Sequence, residues 1–249
     1  MATPSVYELE ILPEFRMRIK DLNLNEHLNS NMELLRWIRA RNSNLDQAEL
    51  MFRTHMKWRE DVGYDQLLLM ELPKQCDELL PETILGFDDD NCPVIMSHVG
   101  KWDVTKILEE LDPQIVLLSK LKIEKILQET MKDKLTSEGV PVTQYSGIID
   151  LEGLSVSQGT LAVLRILSKH AENLEANFPE SSKMCVVINA PWFFPMFYKC
   201  AKPFLSEKTK SNIHIYGKNQ QEWMDFMKSK FPLHVIPRKY GGSNDIEIP

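Results

Sequence analysis

The motifs that mark the commonest enzyme classes are missing from this sequence. It contains no GxGxxG after an apolar run, no P-loop and no GxSxG, so nucleotide binding and serine-hydrolase chemistry have no support. The six histidines are dispersed, and none belongs to an HExxH pair or a Cys/His cluster of the kind that binds zinc. The sequence therefore predicts no catalytic centre, no metal site and no cofactor.

Long apolar runs, excess positive charge and paired cysteines are also lacking. No run approaches the roughly 20 apolar residues that a membrane-spanning helix needs. The net charge of −7 argues against a protein that binds nucleic acid through bulk charge. The four cysteines form no CxxC, and residues 1–15 show no secretory signal. These features favour a cytoplasmic, monomeric protein with reduced thiols that binds no nucleic acid.

The first third of the chain has the apolar spacing of helices. Leu34 and Ile38 flank Arg36, so a helix there presents an apolar face and a basic face. The polar residues 42–44 end this helix, and apolar positions with i, i+3, i+4 spacing continue in a second helix. We predict a helical N-terminal domain over residues 1–75.

After residue 75, short apolar runs alternate with helical patterns. The runs that read as strands are 83–87, 93–99, 145–151, 184–188 and 213–216. Asp112 and Pro113 begin a long helix as N-cap and first residue, and its apolar stripe continues through Leu135. The alternation predicts an α/β fold with a mostly parallel sheet over residues 76–249.

A short aromatic segment follows the predicted strand at 184–188. That strand is continuously apolar, which is typical of burial on both faces. The segment after it is rich in large apolar side chains: Trp192, Phe193, Phe194, Met196, Phe197 and Leu205. It is either plain core or a helix that lines or covers an apolar ligand site. Lys199 and Lys202 lie at its edge, which suits docking on an anionic membrane surface.

Asp150 and Glu152 form the candidate acid/base pair. They lie two residues apart at a strand end, so they are predicted to point the same way. The alternative is that one caps the following turn and the other is solvated. No nucleophile or oxyanion donor accompanies them, which leaves an enzyme the weaker interpretation.

Several motifs, met in order along the chain, resemble a known family. They are Leu34–Arg41 (LLRWIRAR), Lys57–Arg59, Ile149–Gly153, Asn177–Glu180, Ile188–Pro191, Lys202–Leu205 and Tyr240–Gly242. Together they resemble the CRAL-TRIO lipid-binding family from about residue 33 to residue 242. Within it, the sequence is most similar to the supernatant-protein-factor branch, whose members often carry a C-terminal GOLD domain. The chain ends at Pro249 without one.

The resemblance implies a non-enzymatic lipid carrier. In this family a sheet forms the floor of an apolar cavity, and a mobile helix, here Trp192–Leu205, closes the cavity and touches the membrane. The implied partners are a small hydrophobic ligand or phospholipid and a transient membrane surface, which Lys199 and Lys202 would contact. The alternative is a regulatory interaction module that docks its apolar helix on another protein.

The resemblance also implies a set of ligand-binding residues. They are Arg41, Tyr145, Gly147, Ile149, Glu180 and Thr209. Members that bind phosphatidylinositol carry lysines where this chain has Asn42 and Asn212, and Tyr145 and Gly147 replace small polar residues that contact phosphatidylcholine. We therefore expect a neutral hydrophobic ligand, such as an isoprenoid, sterol, retinoid, tocopherol or carotenoid, or a phospholipid held in another way.

Overall fold

The computed structural model describes residues 3–248. The helices are α1 Val6–Arg18, α2 Asn31–Arg39, α3 Leu45–Asp61, α4 Gln75–Leu79, α5 Val104–Glu110, α6 Pro113–Met131, α7 Leu161–Asn177, α8 Phe194–Ala201, α9 Glu207–Ser211 and α10 Gln220–Lys230. The strands are β1 Glu82–Phe87, β2 Pro93–Ser97, β3 Tyr145–Asp150, β4 Ser182–Ile188 and β5 Ile213–Ile215. Short 3₁₀ turns lie between several of these elements.

The five strands form one sheet in the order β1-β2-β3-β4-β5. The β1–β2 hairpin is antiparallel, and its turn is fixed by the Asp88 carboxylate, which accepts from the backbone of Asp90 at 2.9 Å and Cys92 at 3.0 Å. Every later pair is parallel, because a helix returns the chain to the same edge before each new strand. The predicted α/β fold with a mostly parallel sheet is confirmed.

The central strand β3 has two different faces. Ser146, Ile148 and Asp150 are buried, whereas the alternate residues from Tyr145 to Ile149 are only half-buried. We call the first set the packed face and the second set, Tyr145, Gly147 and Ile149, the open face. The packed face of the sheet lies in a core with α10 and the C-terminal segment, to which Trp223, Met227, Val235, Ile236 and Tyr240 contribute.

The N-terminal helices form a separate core and dock on the turn between α7 and β4. Their apolar residues, among them Phe15, Leu34, Leu35, Ile38 and Phe52, are buried together. Arg36 is also buried, so the expected basic face is wrong at this residue. Its side chain pairs with Glu33 and donates from Nε to the carbonyl oxygen of Pro179 at 2.8 Å.

One helix ends earlier than the sequence predicts. Asp112 caps α6 by accepting from the backbone of Gln114 at 2.7 Å, as expected, but α6 ends at Met131 and Leu135 lies beyond it, exposed. The chain turns at Asp133, whose φ of 61° is incompatible with a continued right-handed helix.

Strand β4 is less buried than its apolar sequence predicts. Val186–Ile188 are buried, but Met184 and Cys185 are half-buried, so burial on both faces is wrong for these two residues. Cys185 lies opposite Gly147 in the register, on the same side of the sheet as the open face.

Candidate ligand site and its lid

Open space lies above the centre of the open face. Tyr145, Gly147 and Ile149 share this side because side chains alternate along a strand. A Cβ placed on Gly147 would meet no heavy atom within 4 Å outside its immediate neighbours. The structure thus brings three of the predicted ligand-binding residues together beside unfilled volume.

Helix α7, which follows β3 in the chain, leaves much of its apolar surface incompletely buried. Ala171 is buried, but the larger apolar residues are half-buried or exposed: Val163, Leu164, Ile166, Leu167 and Leu174. A helix that packed directly on a sheet would bury such residues fully.

A group of polar side chains lies between α6 and the sheet. The Tyr145 hydroxyl donates to the Glu124 carboxylate at 2.6 Å, and Glu124 is buried. Desolvation raises the pKa of Glu124 to about 7, against the opposing effect of the Tyr145 hydrogen bond. One helical turn earlier, Lys120 forms a 2.9 Å ion pair with Glu82, which also accepts from Ser97 at 3.0 Å.

Cys185 and His170 are both half-buried. Desolvation raises the pKa of the Cys185 thiol to about 12. Desolvation, with a smaller effect of the Lys120 charge, lowers the pKa of His170 to about 4, so its imidazole is neutral at pH 7. We call Glu82, Lys120, Glu124, Tyr145 and His170 the enclosed polar cluster.

The aromatic segment, residues 192–205, packs beside α7, and we call it the lid after the role that the sequence resemblance implies. Its helix α8 begins at Phe194 with Pro195 in the first turn, where the missing backbone N–H costs no helical hydrogen bond. Phe193 and Phe197 are buried with ring centroids 5.7 Å apart. On the other side, Trp192 is 86% exposed and Met196 is 62% exposed. The segment therefore has one buried aromatic side and one apolar side that faces solvent.

The regular helix is shorter than the lid helix predicted over residues 192–205. Trp192 and Phe193 precede α8, and Leu205 follows a 3₁₀ turn at Lys202–Phe204, so including these three residues in the helix is wrong. Pro203 lacks the backbone N–H that a continued α-helix requires, which accounts for the change at this end.

Both ends of the lid have non-helical backbone. Asn189 has a φ of 56°, and its side chain donates to Asp150 at 2.8 Å. Leu205 is extended, and Ser206 after it caps α9. Between these ends, the Ser168 hydroxyl of α7 donates to the carbonyl oxygen of Cys200 at 3.1 Å.

Positive and apolar groups share the solvent side of the lid. Lys199 and Lys202 are exposed, and no hydrogen bond or ion pair holds either ammonium within residues 3–248. An adjoining groove is lined by Leu161, Leu164, Arg165, Ser168, Lys169, Glu172, Cys200 and Phe204. This surface is more basic and more apolar than the acidic chain as a whole.

The other predicted ligand-binding residues lie elsewhere. The Glu180 carboxylate pairs with Lys208, and the Thr209 hydroxyl donates to Glu175 at 2.9 Å. Arg41 is exposed in the turn after α2, where it donates to the carbonyl oxygen of Ala40 at 3.0 Å. No hydrogen bond or ion pair described by the structure joins Arg41 to the other five residues.

Asp150 is a structural carboxylate. It accepts from the hydroxyl of Tyr240 at 2.7 Å, from the backbone of Glu152 at 2.9 Å and from Asn189. Glu152 is exposed and pairs with Lys239 at 3.0 Å. The two carboxylates therefore do not point the same way, because the strand ends at Asp150. The alternative, a capping Asp150 and a solvated Glu152, is confirmed.

Sequence reasoning missed four of the five members of the enclosed polar cluster, all except Tyr145. Lys120 and Glu124 stand four residues apart in an apolar helix, a spacing that places both on one face. His170 lies in a helix whose other inward positions are aliphatic. A charged or titratable residue on an otherwise apolar face of a helix is the sequence pattern that could have identified these residues.

A family model described as the CRAL/TRIO domain matches residues 77–242. The chain belongs to this family. The match confirms the resemblance seen in the sequence motifs.

Relatives of the CRAL/TRIO chain include Protein real-time of Aedes aegypti and the SEC14 cytosolic factor of Kluyveromyces lactis. The first is 27% identical over 93% of this chain, which spans only 36% of that protein. The second is 27% identical over 94% of this chain and 78% of its own length. The crystal structure of Sfh5 superimposes with a TM-score of 0.75 at 14% identity, covering 100% of this chain and 91% of the other. That likeness shows the shared fold.

The CRAL/TRIO family consists of lipid-binding and transfer proteins, which places this chain in a lipid-binding class. No helix within residues 3–248 has both the length and the apolar character to span a bilayer.

Proposed function

We propose that this chain is a cytoplasmic, monomeric carrier that holds one hydrophobic ligand in an internal cavity and exchanges it at a membrane. The sheet forms the floor of the cavity, and the lid at residues 192–205 closes it. In this proposal a helical N-terminal part, residues 1–75, supports the ligand-binding part, residues 76–249.

The observation that carries this proposal is the unfilled volume at Gly147. Cys185, opposite Gly147, supports it: its thiol is strongly desolvated, yet its residue is only half-buried. Both conditions hold together when a side chain borders an enclosed space. Tyr145, Gly147 and Ile149 would line that space, and each buried CH₂ of a ligand would contribute roughly 0.8 kcal/mol there.

The two sides of the lid support exchange at a membrane. A ligand surrounded by protein leaves slowly unless its cover opens, and opening would expose Phe193 and Phe197. A bilayer can receive these rings together with Trp192 and Met196, while Lys199 and Lys202 attract anionic headgroups. The non-helical backbone at Asn189 and Leu205 gives the lid two places to bend.

Arg41, Glu180 and Thr209, the other predicted ligand-binding residues, support the proposal less than the open face does. A phosphate group at this place would compete with Glu180 for the Lys208 ammonium group. It would also compete with Glu175 for the hydrogen bond that the Thr209 hydroxyl donates. Arg41 would have to reorient. This arrangement favours a ligand without a phosphate.

Ligand extraction and transfer assays test the proposal. Organic extraction of the purified chain, followed by mass spectrometry, is expected to release a stoichiometric apolar ligand. Replacing Trp192 and Met196 together by serine is expected to slow ligand transfer to anionic vesicles at least tenfold without changing the melting temperature. Leu69→Ser is the control, since Leu69 is 84% exposed in a loop outside the lid.

Two outcomes would contradict the carrier function. An extract without an apolar ligand, from a chain that also fails to take one up from vesicles, would overturn it. Tight capture of a protein partner without any lipid exchange would favour the regulatory interaction module instead.

A further inference from the structure

Asn189 fixes the direction in which the chain leaves the sheet toward the lid. Its φ of 56° lies in the left-handed region, which asparagine adopts more readily than most residues do. On one side of it, the carbonyl oxygen of Ile188 accepts from the backbone of Leu151 at 3.0 Å. On the other side, the backbone of Ala190 donates to the carbonyl oxygen of Tyr216 at 2.9 Å. A change of direction at this bend must therefore turn Asn189 itself.

The side chain of Asn189 is bonded to a carboxylate in the core. Its amide donates to Oδ1 of Asp150 at 2.8 Å, and Asp150 is only 1% exposed, whereas Asn189 is half-buried. Hydrogen bonds to a carboxylate are stronger than those between neutral groups. The bond thus ties a residue at the edge of the lid to an acceptor buried beneath it in the chain's own packing.

Three other groups hold the Asp150 carboxylate in place. Oδ1 also accepts from the backbone of Glu152 at 2.9 Å, and Oδ2 accepts from the Tyr240 hydroxyl at 2.7 Å. Because Tyr240 donates its one hydroxyl proton to Asp150, the hydrogen bond between His98 and Tyr240 is assigned with Nε2 of His98 as the donor. His98 and Tyr240 are both buried. The carboxylate is therefore fixed by the segment after β2 and by the C-terminal segment.

The apolar contacts of the lid are of a kind that a bilayer can replace. The rings of Phe193 and Phe197 would pass from one apolar environment to another when the lid opens against lipid. The bond from Asn189 is different, because breaking it removes a partner from the buried Asp150 carboxylate. Contact between the lid and lipid does not remove that cost, so this bond opposes opening at the membrane as well as in water.

We propose that the hydrogen bond from Asn189 to Asp150 is a latch that holds the lid closed, and that Tyr240 and His98 keep the carboxylate in position for it. This inference rests on the proposed function, in which residues 192–205 open, and it names the residues that resist opening. Asn189 acts through the bend and not through contact with a ligand, so it is a positioning residue.

Hydrogen exchange of the lid amides tests the latch without any ligand. Asn189→Gly removes the side-chain amide and keeps the bend, because glycine adopts a positive φ freely. The eight-residue helix α8 is too short to be stable once it leaves its seat, so opening exposes its amides. We expect peptides from the lid to exchange at least about fivefold faster in this variant, as measured by mass spectrometry.

Asn91→Gly is the matched control. Asn91 has a φ of 58° in the β1–β2 turn, and its amide also donates to a carbonyl oxygen, that of Leu135 at 2.7 Å. This substitution should lower the melting temperature as much as Asn189→Gly does and leave amide exchange in the lid within about twofold of wild type.

Asn189→Asp gives a second measurement at the bend. It keeps the shape of the side chain and replaces the donor by a carboxylate beside Asp150, so it should speed amide exchange in the lid more than Asn189→Gly does. Lid exchange within about twofold of wild type in an Asn189 variant that folds would overturn the latch.

Tyr240→Phe tests whether the C-terminal segment sets the strength of the latch. Loss of the hydroxyl frees Oδ2 of Asp150, so amide exchange in the lid should rise about threefold. In the Asn189→Gly chain the same substitution should still lower the melting temperature, but it should change lid exchange by less than about 1.5-fold, because the latch is already absent. An equal factor in both backgrounds would mean that Tyr240 acts on stability alone, and it would overturn the role of Tyr240 in the latch.

Failure of the latch differs from failure of the carrier function. Transfer of dehydroergosterol and of pyrene-labelled phosphatidylcholine between vesicles of phosphatidylcholine and phosphatidylserine is measured for the same chains. Transfer by the wild-type chain, with unchanged lid exchange in Asn189→Gly, would overturn the latch and leave the carrier function standing. Faster lid exchange in Asn189→Gly, without transfer of either probe by any chain, would support the latch and contradict the carrier function.

Discussion

The two faces of the sheet show how one strand serves two purposes. On the packed face, Ile148 is almost fully buried with α10, and the Asp150 carboxylate accepts three hydrogen bonds. On the open face, Ile149 is half-buried and Gly147 borders empty space. The packed face is filled by side chains of the chain itself, although the Ser146 hydroxyl and the Trp223 indole N–H have no hydrogen-bond partner within residues 3–248. The open face instead leaves half-buried groups beside empty space.

This difference assigns separate roles to neighbouring residues. Burial of apolar surface stabilises the fold in proportion to the area removed from water. The packed face therefore supplies stability, and under the proposed function the open face gives up part of it to keep room for a ligand. Substitutions that act on one face only can break or sharpen this comparison.

The largest effect is expected at a glycine on the packed side. A Cβ at Gly242 would overlap the carbonyl oxygen of Ile236, which is backbone and cannot rotate away. Gly242→Ala should therefore lower the free energy of unfolding by more than about 4 kcal/mol or prevent folding. Denaturant unfolding measures this, with Gly147→Ala on the open face as the control. Equal losses from the two substitutions would refute the difference between the faces.

A matched pair of isoleucines gives the next largest effect. Ile148→Ala leaves a cavity in a filled core and should cost about 2–5 kcal/mol. Ile149→Ala removes the same atoms beside existing space, so its cost to the ligand-free chain should be less than half as large. Ligand retention should show the opposite order. If Ile149→Ala destabilises the ligand-free chain as much as Ile148→Ala, the open face is ordinary core.

Much of the packed face could be predicted from sequence, because periodicity reports it directly. The strand that begins at Tyr145, the cap at Asp112 and the mostly parallel sheet could be predicted from apolar spacing and from the alternation of strands and helices. Burial of Asp150 by Tyr240 could not be foreseen, since these residues lie 90 positions apart.

The open face was harder to predict because a cavity-lining residue and a core residue have the same composition. Cys185 reads as core, yet it is half-buried on the open side of the sheet. The lid segment could be located, but its helix ends earlier than the apolar stripe suggests. Lys120 and Glu124 gained meaning only when the structure paired them with Glu82 and Tyr145.

Glu124, which accepts from Tyr145 of the open face, should make the free energy of unfolding depend on pH. Its pKa rises from 4.5 to about 7 on folding, mainly through desolvation, in surroundings that include Tyr145, Glu82, Tyr64, Arg36 and Lys120. The folded chain then binds the proton more tightly than the unfolded chain does. The contribution of Glu124 to the free energy of unfolding is therefore greatest below pH 4.5, and it falls as the pH rises toward 7. The loss is on the order of 3 kcal/mol.

Replacing Glu124 by glutamine tests this origin. The amide stays neutral and can still accept from Tyr145, so Glu124→Gln should raise the free energy of unfolding at pH 8 and flatten its fall between pH 5 and pH 8. Urea unfolding at several pH values measures both effects, and Glu129→Gln, on the exposed side of α6, is the control. An unchanged slope in Glu124→Gln would show that another group titrates.

The smallest loss of stability is expected for Gly159→Ala, which should nevertheless change the rate of ligand transfer. A Cβ at Gly159 would lie 2.6 Å from Cζ of Phe197, the tip of a ring that can move, and the φ of −80° at Gly159 suits alanine. Gly159→Ala should therefore displace the ring that seats the lid while changing the melting temperature by less than about 2 °C. If the lid limits exchange, a displacement worth about 1 kcal/mol speeds ligand transfer about fivefold. Gly217→Ala is the control, since its nearest heavy atom is 3.9 Å away. Unaltered transfer by Gly159→Ala would mean that Phe197 belongs to the packed part of the molecule and that the ligand leaves by another route.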